Sequence, residues 1–398
     1  MDRTRIIERL KAQKIETPSW GFANSGTRFG TFVQPSAART LQEKLDDAAQ
    51  VHEFTGICPT VALHIPWDVP EDGDWAAVKT YAADRGLQIG AINPNVFQDQ
   101  CFKYGSFGNR DEKIRRSAIE DHLQCIEIAR ETGSDAISLW FADGTNYPGQ
   151  DEMRARKRRF EASLAEVYAN LPAGMRMLIE YKLFEPAFYH TDIADWGSSL
   201  LLCQKFGPQA QVLVDTGHHA QGTNIEHIVA ILLDEGRLGG FHFNARKYAD
   251  DDLTVGSINP YELFLIFFEL VKAEIDADEK VRSCANRVAY MFDQSHNLKN
   301  KIEATIQSAV MCQETLAKAL HVDLDALAKA QAAADVVGAE EVLKDAYYTD
   351  VRPLLRELRE DQGLDPDPLA AFRRSGYTER VAAERTALHG EAVAGGYQ

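Results

Sequence analysis

The sequence predicts a closed (β/α)8 barrel, the TIM barrel architecture, with a C-terminal α-helical extension. Eight short apolar segments alternate with eight amphipathic segments through residues 1–319 of this 398-residue chain. Apolar runs without polar alternation are typical of strands buried on both faces, and strands that alternate with helices form parallel sheets. Eight such units favour a closed barrel over an open doubly wound sheet, whose G-x-G-x-x-G loop is absent from the sequence.

The predicted elements follow one another along residues 1–319, which we assign to a barrel domain with an additional N-terminal helix. The predicted strands are 18–23, 59–66, 87–93, 135–141, 175–182, 210–215, 238–244 and 287–293. The predicted helices lie near 38–54, 75–85, 110–132, 151–170, 193–206, 224–236, 260–278 and 298–319. Long loops over 94–109 and 142–149 are expected to cover a site, because long irregular loops are usually functional.

Residues 320–398 differ from the rest of the chain in being charged and free of strand-like segments. The predicted helices there are 323–346 with a break near Gly338, 350–361 and 377–390. Their apolar stripes need a partner surface. Because a closed barrel has no interior to receive a tail, the extension is predicted to contact a neighbouring subunit. Packing back onto the same barrel is the alternative.

Composition excludes several classes of protein. A formal net charge of −17 argues against a nucleic-acid surface, which needs clustered Lys and Arg. The six cysteines form no C-x-x-C pair, which favours reduced thiols over a disulfide framework or a zinc ribbon. The longest apolar run, 264–271, is too short to span a membrane, and the N-terminus lacks a signal-peptide core. These features predict a cytoplasmic protein without a nucleic-acid or membrane partner.

Acidic and histidine side chains stand where successive predicted strands end. They are Glu180 in MLIEYKL, Asp215 and His218 in VLVDTGHH, His242 in GGFHFNA, Asp250 and Asp252 in YADDD, and Asp293 in AYMFDQS. The carboxyl ends of barrel strands meet on one face, where the active sites of such barrels lie. A mixed set of oxygen and nitrogen ligands suits Mn²⁺, Co²⁺ or Mg²⁺ rather than a thiolate-rich zinc site. Seven ligands are too many for one ion, so two ions that share Glu180 are predicted.

Some of these residues also have a structural interpretation that needs no metal ion. Glu180 and Lys182 share one face of their strand, and a surface ion pair is disfavoured because their neighbours are apolar. A single histidine in an apolar run such as that around His242 is usually a core residue. The acidic residues predicted to lie near it favour the role of a metal ligand. His219 competes with His218 for the same role.

With these motifs the chain resembles bacterial L-rhamnose isomerase of the type that is active on several aldoses. The matching segments are 64–68, 93–109, 142–151, 179–192, 214–226, 240–257 and 292–297. More remotely, the E-x-K, D-x-x-H and D-x-D pairs resemble xylose isomerase. The resemblance implies a xylose-isomerase-like TIM barrel enzyme that interconverts L-rhamnose and L-rhamnulose, and other aldose–ketose pairs, by a metal-mediated hydride shift in rhamnose catabolism.

The resemblance also implies roles for individual residues and two divalent metal ions per subunit, Mn²⁺ first, with Co²⁺, Mg²⁺ and Zn²⁺ as alternatives. The structural ion would be held by Glu180, Asp215, His242 and Asp293. The catalytic ion would be held by His218, Asp250 and Asp252, with Glu180 bridging, and the two aspartates would help to move the O2 proton. The implied catalytic ammonium is Lys182.

The remaining implied roles concern the sugar. His64 would assist ring opening, and Trp67, Phe102 and Trp140 would form apolar walls. Phe29 would reach into the site of a neighbouring subunit in a homotetramer.

Two other functions stay open from the sequence. A sugar 3-epimerase would use the same barrel with one metal and two opposed carboxylates. A non-catalytic, metal-stabilised sugar-binding or scaffold protein would bind without turnover. A metal-dependent phosphodiester nuclease also uses this barrel, but the net charge of −17 disfavours it.

Overall fold

The computed structural model describes residues 3–27, 30–185, 191–295 and 297–392. In these residues eight parallel strands close into a barrel, which confirms the predicted fold class. Each strand pairs with its neighbours in chain order, and the first closes onto the last through Glu16 and Met291. The barrel strands are β1 (Glu16–Pro18), β2 (Thr60–Ile65), β3 (Gln88–Pro94), β4 (Ala136–Leu139), β5 (Arg176–Glu180), β6 (Ala210–Asp215), β7 (Leu238–Phe243) and β8 (Ala289–Phe292).

Helices surround the barrel and then form the C-terminal extension. The barrel helices are α1 (Arg3–Lys11), α2 (Leu41–Thr55), α3 (Trp75–Ala83), α4 (Glu112–Thr132), α5 (Met153–Ala169), α6 (Trp196–Phe206), α7 (Ile225–Asp234), α8 (Pro260–Ala273), α9 (Glu279–Ala285) and α10 (Lys301–Leu320). The extension contains α11 (Leu324–Ala332), α12 (Val336–Tyr348), α13 (Arg352–Asp361), α14 (Pro368–Arg374) and α15 (Tyr377–His389). Among the described residues, no helix is both long enough and apolar enough to cross a bilayer.

The main core lies between the sheet and the surrounding helices, and β7 shows how it is built. Phe241 and Phe243 point outwards and stack with ring centroids 4.7 Å apart, and Phe243 stacks in turn on Phe267 of α8 at 5.4 Å. His242 lies between them in sequence and therefore points into the barrel, because alternate strand residues face opposite sides. Packing of the two phenylalanines thus fixes the direction of the histidine.

Most predicted strands match the observed ones within two residues, but the first does not. The strand predicted over 18–23 is observed at Glu16–Pro18 and is followed by a 3-10 helix, Ser19–Phe22. The chain turns there because the side chains of Ser19 and Trp20 bond to loop carboxylates, Asp68 and Asp293, above the barrel. The helix predicted over 260–278 ends earlier than expected, at Ala273, and the separate helix α9 follows it.

The C-terminal helices differ from the prediction in two places. The break expected near Gly338 lies instead at 333–335, where Ala334 has φ of 54°. Asp335 then caps α12 by accepting a hydrogen bond from the Gly338 N–H at 2.9 Å, so the glycine lies inside the first turn. Helix α14 was not predicted. Helices α12, α13 and α14 pack on α10 of the same chain, while a contact with a neighbouring subunit stays a prediction.

A buried ion pair attaches the last helix to the barrel. Arg385 of α15 donates to both carboxylate oxygens of Asp47 in α2, at 2.8 and 3.0 Å. The Tyr377 hydroxyl donates to the same carboxylate at 2.9 Å. Both charged side chains are almost fully buried, with exposures of 5% and 1%. Removing the arginine would leave the carboxylate without its cation in a site closed to water.

We therefore expect Arg385→Leu to lower the free energy of unfolding by about 3–5 kcal/mol, the usual cost of leaving one partner of a buried pair. The matched control is Arg380→Leu on the same helix, whose exposed pair with Glu384 should be worth no more than about 1 kcal/mol. Urea unfolding followed by circular dichroism measures both variants. Equal losses in the two would contradict the anchoring role of Arg385.

Candidate active site

A cavity of about 630 Å³, including its open mouth, lies at the carboxyl ends of the strands. Side chains from most of the strand ends and the loops after them line it. They are Trp20, His64, Trp67, Asn93, Phe97, Trp140, Glu180, Lys182, His218, His242, Asp250, Asp252 and Asp293. The cavity therefore brings together all but two of the predicted site residues that the structure describes, Asp215 and Phe102.

The first ligand group combines Glu180, Asp215, His242 and Asp293, which is the set expected for the structural ion. Nδ1 of His242 lies 3.2 Å from Oε2 of Glu180 and 3.9 Å from Oδ2 of Asp293. This nitrogen is buried and makes no well-aligned hydrogen bond among the described residues. A buried ring nitrogen that faces two carboxylates in this way is placed as a metal-ligating atom would be.

The second group combines Asp215, His218 and Asp250. The Nδ1 of His218 lies 3.0 Å from the Tyr181 carbonyl oxygen, to which its N–H donates in the tautomer that this contact favours. Nε2 then faces Asp250 and Asp215, at 3.4 and 3.9 Å from their carboxylate oxygens. Such a bond from the second ring nitrogen commonly orients a ligating histidine.

The two groups differ from the predicted ligand sets in two respects. Asp215 belongs to both groups, whereas Glu180 was predicted to bridge; Oε1 of Glu180 nevertheless lies 3.2 Å from His218. Asp252 lines the cavity but belongs to neither group in the described residues. Its backbone has φ of 48°, so the loop turns there and Asp250 and Asp252 do not alternate as on a strand.

Burial and neighbouring charges raise the pKa values of three of these groups. Burial raises the pKa of Asp215 to about 7 against the attraction of His218. Burial also acts to lower the pKa of both histidines, but neighbouring carboxylates prevail: Asp215 and Asp250 raise that of His218 to about 10, and Glu180 raises that of His242 to about 9. The site therefore favours positive charge at both imidazoles.

Unpaired acceptors show that divalent cations fit here. Glu180 Oε1 and Asp250 Oδ1 are buried and have no hydrogen-bond partner within the described ranges. Five carboxylates in the described part of the chain are close enough to influence one another's pKa values: Glu180, Asp215, Asp250, Asp252 and Asp293. Buried carboxylates at this density need cations. The donor set of oxygens and imidazole nitrogens suits hard or borderline divalent ions.

Lys182 connects the metal-ligand side of the cavity with its aromatic side. Its ammonium lies 2.7 Å from Oδ2 of Asp250 and 2.5 Å from Oε2 of Glu185. It also lies 5.0 Å from the centroid of the Trp140 ring. Burial acts to lower the pKa of Lys182, but Asp250 and Glu185 raise it above its ordinary value, so the group stays an ammonium.

The opposite wall of the cavity is aromatic. His64 stacks on Trp67 with centroids 4.0 Å apart, and Phe97 packs edge-on against Trp140 at 4.7 Å. Burial and the charge of Lys44 lower the pKa of His64 to about 3, so this imidazole is neutral. Its Nδ1 is buried and unpaired among the residues described.

Phe102, predicted for this wall, lies elsewhere. It is part of a 3-10 helix, Gln100–Tyr104, and lines a separate cavity beside Pro66 and Cys125. The cause is local: the Asp99 side chain caps that helix by accepting from the Cys101 N–H at 2.8 Å. Phe97 is the residue of the loop that faces the cavity instead.

The remaining candidates are placed as follows. Phe29 lies outside the described residues, so its role stays a prediction. His219 does not compete with His218, because its Nε2 pairs with the Tyr181 hydroxyl at 2.7 Å on the outer side of the strand.

Several side chains that contact the ligands or line the cavity were not among the predicted site residues. Trp20 Nε1 donates to Asp293 at 2.9 Å, and Asn244 donates to both oxygens of Asp215 at 3.0 and 3.2 Å. Asn93 and Phe97 also line the cavity. Their position as polar or aromatic residues at or just after the ends of β1, β3 and β7 is the sequence feature that could have identified them.

Comparison with known proteins identifies the family. A family model described as xylose isomerase-like TIM barrel matches residues 46–265. A probable sugar isomerase of Rhizobium meliloti (strain 1021) is 44% identical over 395 residues, covering 98% of this chain and 90% of that protein. A xylose isomerase of Thermus thermophilus is 26% identical over 255 residues, covering 57% of this chain and 62% of that enzyme.

Among solved structures, an L-ribulose 3-epimerase superposes with a TM-score of 0.58 at 14% identity, covering 77% of this chain and 96% of that chain. At this identity the superposition shows a shared fold only. The barrel and its acidic, histidine-containing mouth define the class, and the chain belongs to the xylose isomerase-like TIM barrel family. Two relatives that align over nearly its whole length are described as probable sugar isomerases.

The two ligand groups predict a specific pattern of metal binding. Metal-stripped protein should bind about two Mn²⁺ ions per chain, one for each group. Asp293→Asn should lose one ion, whereas Asp215→Asn should weaken both, because Asp215 belongs to both groups. Isothermal titration calorimetry measures the stoichiometry. The control is Asp350→Asn on the surface. One ion bound to Asp215→Asn with the parent affinity would exclude a shared Asp215.

Proposed function

We propose that this protein is a metal-dependent aldose–ketose isomerase that interconverts L-rhamnose and L-rhamnulose and accepts other aldose–ketose pairs. The observation that carries the proposal is the juxtaposition of two metal-ligand groups, a buried ammonium and an aromatic wall in one cavity. Relatives named as probable sugar isomerases over nearly the whole chain support the reaction class. The segments that resemble L-rhamnose isomerase support the choice of sugar.

The ligand groups assign places for the ions. Glu180, Asp215, His242 and Asp293 would hold one divalent ion, and His218, Asp250 and Asp215 the other, with Asp252 at the edge of the second place. When bound, such ions act as Lewis acids towards neighbouring sugar oxygens and stabilise the charge that develops on them. Mn²⁺ is the first choice, followed by Co²⁺, Mg²⁺ and Zn²⁺.

The reaction moves two hydrogens within the open-chain sugar. The C2 hydrogen crosses to C1 with its electron pair, and the O2 proton is lost while O1 gains one, so an aldehyde becomes an alcohol and C2 becomes a ketone. Lys182 would stand beside O1 and stabilise its developing negative charge, because its ammonium is buried and held by Asp250 and Glu185. The described carboxylates of the cavity belong to the ligand set or its edge, which disfavours a side-chain base for an ene-diol route.

The aromatic wall suits a sugar with an apolar end. Trp67 and Phe97 offer apolar surface to the C6 methyl group of a 6-deoxy sugar. Neutral His64 keeps Nδ1 free to accept a hydrogen bond, so it would assist ring opening by accepting from a hydroxyl at the C1 or ring-oxygen end.

Assembly and location complete the proposal. We infer a cytoplasmic homotetramer in which Phe29 of a neighbouring subunit reaches the cavity, in line with the resemblance to L-rhamnose isomerase. The proposed partner of the site, beside its ions, is a small-molecule sugar, with no nucleic acid or membrane.

Turnover in heavy water tests the proposal. Metal-stripped protein should be inactive on L-rhamnose, and restoring Mn²⁺ should restore L-rhamnulose production without solvent deuterium at C1, because the transferred hydrogen never leaves the sugar. Nuclear magnetic resonance measures product and label together. Deuterium at C1 would overturn the hydride route. Turnover of another aldose alone would overturn the choice of sugar, and C3 labelling of a ketose would identify an epimerase.

Lys182→Met should lower kcat by about 10²–10³-fold, the usual loss when a charge-stabilising donor is removed from a transition state. Metal binding should be retained, because Lys182 is not a ligand. The control is Lys205→Met, a surface lysine paired with Glu161 in the same half of the barrel, which should keep parental activity. Loss of bound Mn²⁺ from Lys182→Met would show that the lysine supports the metal site instead.

A further inference from the structure

A guanidinium outside the cavity contacts three of the loops that frame its aromatic side. Arg156 of α5 is 3% exposed and does not line the cavity. Its Nε donates to Asp192 Oδ2 at 2.7 Å, in the loop after β5. Its Nη1 donates to the Tyr104 carbonyl at 3.1 Å, after β3, and its Nη2 donates to Asp143 at 3.4 Å, after β4. One side chain therefore links three consecutive loops.

Asp143 extends these links through its own hydrogen bonds. Its carboxylate accepts from the backbone N–H of Ser106 at 2.7 Å and of Gly108 at 2.8 Å. The loop packs so closely that a Cβ on Gly105, where φ is 96°, would lie 2.4 Å from Nη2 of Arg156. Only glycine tolerates both this backbone angle and this approach. The loop after β3 is thus built around the Arg156–Asp143 pair.

The same network leads directly to Lys182. The Lys182 N–H donates to the Ile193 carbonyl at 2.9 Å, and the Thr191 hydroxyl donates to the Lys182 carbonyl. Asp192, held by Arg156, lies between these two residues, and its own N–H donates to the Asp143 carbonyl at 2.7 Å. A shift of Asp192 would therefore be transmitted to the lysine backbone.

The aromatic wall is connected through Asp143. Trp140 precedes Asp143 by three residues, and its ring contacts both Phe97 and the Lys182 ammonium, at 4.7 and 5.0 Å. The loop that the Asp143 carboxylate holds is the one that carries Phe97. Arg156 is therefore linked by hydrogen bonds to the loops that carry both neighbours of the Trp140 ring.

Arg156 also supplies the positive charge that two carboxylates of this network need. In the described ranges, Asp143 and Asp192 have no ion-pair partner other than Arg156. Asp151, the third carboxylate near it at 3.6 Å, has Arg110 and Arg159 as well. Loss of the guanidinium would leave Asp143 and Asp192 unpaired, and both loops would move to reach water.

We propose that Arg156 is the positioning residue of the sugar-facing half of the site. It sets the place of Lys182 through Asp192 and that of Trp140 and Phe97 through Asp143, without touching the sugar. The inference rests on the proposed isomerase function, because it assigns catalytic importance to the residues that Arg156 positions.

The test is Arg156→Lys, which keeps the charge but loses the planar fork that reaches several acceptors at once. We expect kcat/KM to fall about tenfold or more, because small displacements of a catalytic group are costly. The Mn²⁺ stoichiometry and affinity should be unchanged, since the ligands come from β5 to β8 and the loops after β6 and β7. Amide hydrogen exchange should accelerate at 105–108 and 191–193. The control is Arg158→Lys, an exposed arginine on the same helix.

The outcomes separate this inference from the proposed function. If the parent protein shows no aldose–ketose conversion, the proposed function fails, whatever Arg156→Lys does. If the parent is active and folded Arg156→Lys keeps kcat/KM within about twofold, too small a change for a displaced catalytic group, or loses Mn²⁺ together with activity, the positioning role is overturned. If Arg156→Lys does not fold, Asp192→Asn replaces it, because it weakens only the link to Lys182; unchanged kinetics in that variant would overturn the role equally.

Discussion

The rest of this structure depends on the concentration of negative charge at the mouth of the barrel. Five carboxylates in the described residues come within reach of one another there, although burial makes each of them costly as an anion. Two imidazoles and one ammonium offset part of this charge. The site therefore has a strong local preference for divalent cations in a cavity that is open to solvent, and the surrounding side chains hold that arrangement.

Strand alternation explains why so much of this site was predictable. On β7 the outward packing of Phe241 and Phe243 directs His242 inwards, and after β5 the outward Tyr181 lies between inward Glu180 and Lys182. A polar side chain that points inwards at a strand end can find hydrogen-bond or metal partners only at the mouth of the barrel. This rule accounts for the ligands at the strand ends, Glu180, Asp215, His242 and Asp293, whereas the eight strands were predicted from apolar runs that alternate with helices.

The loops follow no such rule, and there the sequence was a poorer guide. Phe97 rather than Phe102 faces the cavity because Asp99 caps a short 3-10 helix that turns Phe102 away. Trp20 reaches the site because the first strand ends early, and Asp252 departs from the second ligand group at a positive φ. Each outcome depends on one local hydrogen bond or backbone angle, which periodicity does not encode.

These two parts of the site also differ in how they balance charge. The metal-ligand groups are incomplete without cations, whereas the network around Arg156 pairs Asp143, Asp151 and Asp192 with arginines among the described residues. Among the described residues, the carboxylates around Arg156 are therefore paired before any ion binds, whereas the ligand groups keep unpaired carboxylate oxygens. Lys182 is the point at which the two parts meet, since it contacts Asp250 on one side and Trp140 on the other. Changes in the aromatic loops can thus alter that wall of the cavity while the metal-ligand groups stay intact, in line with the general use of loop variation in (β/α)8 barrels.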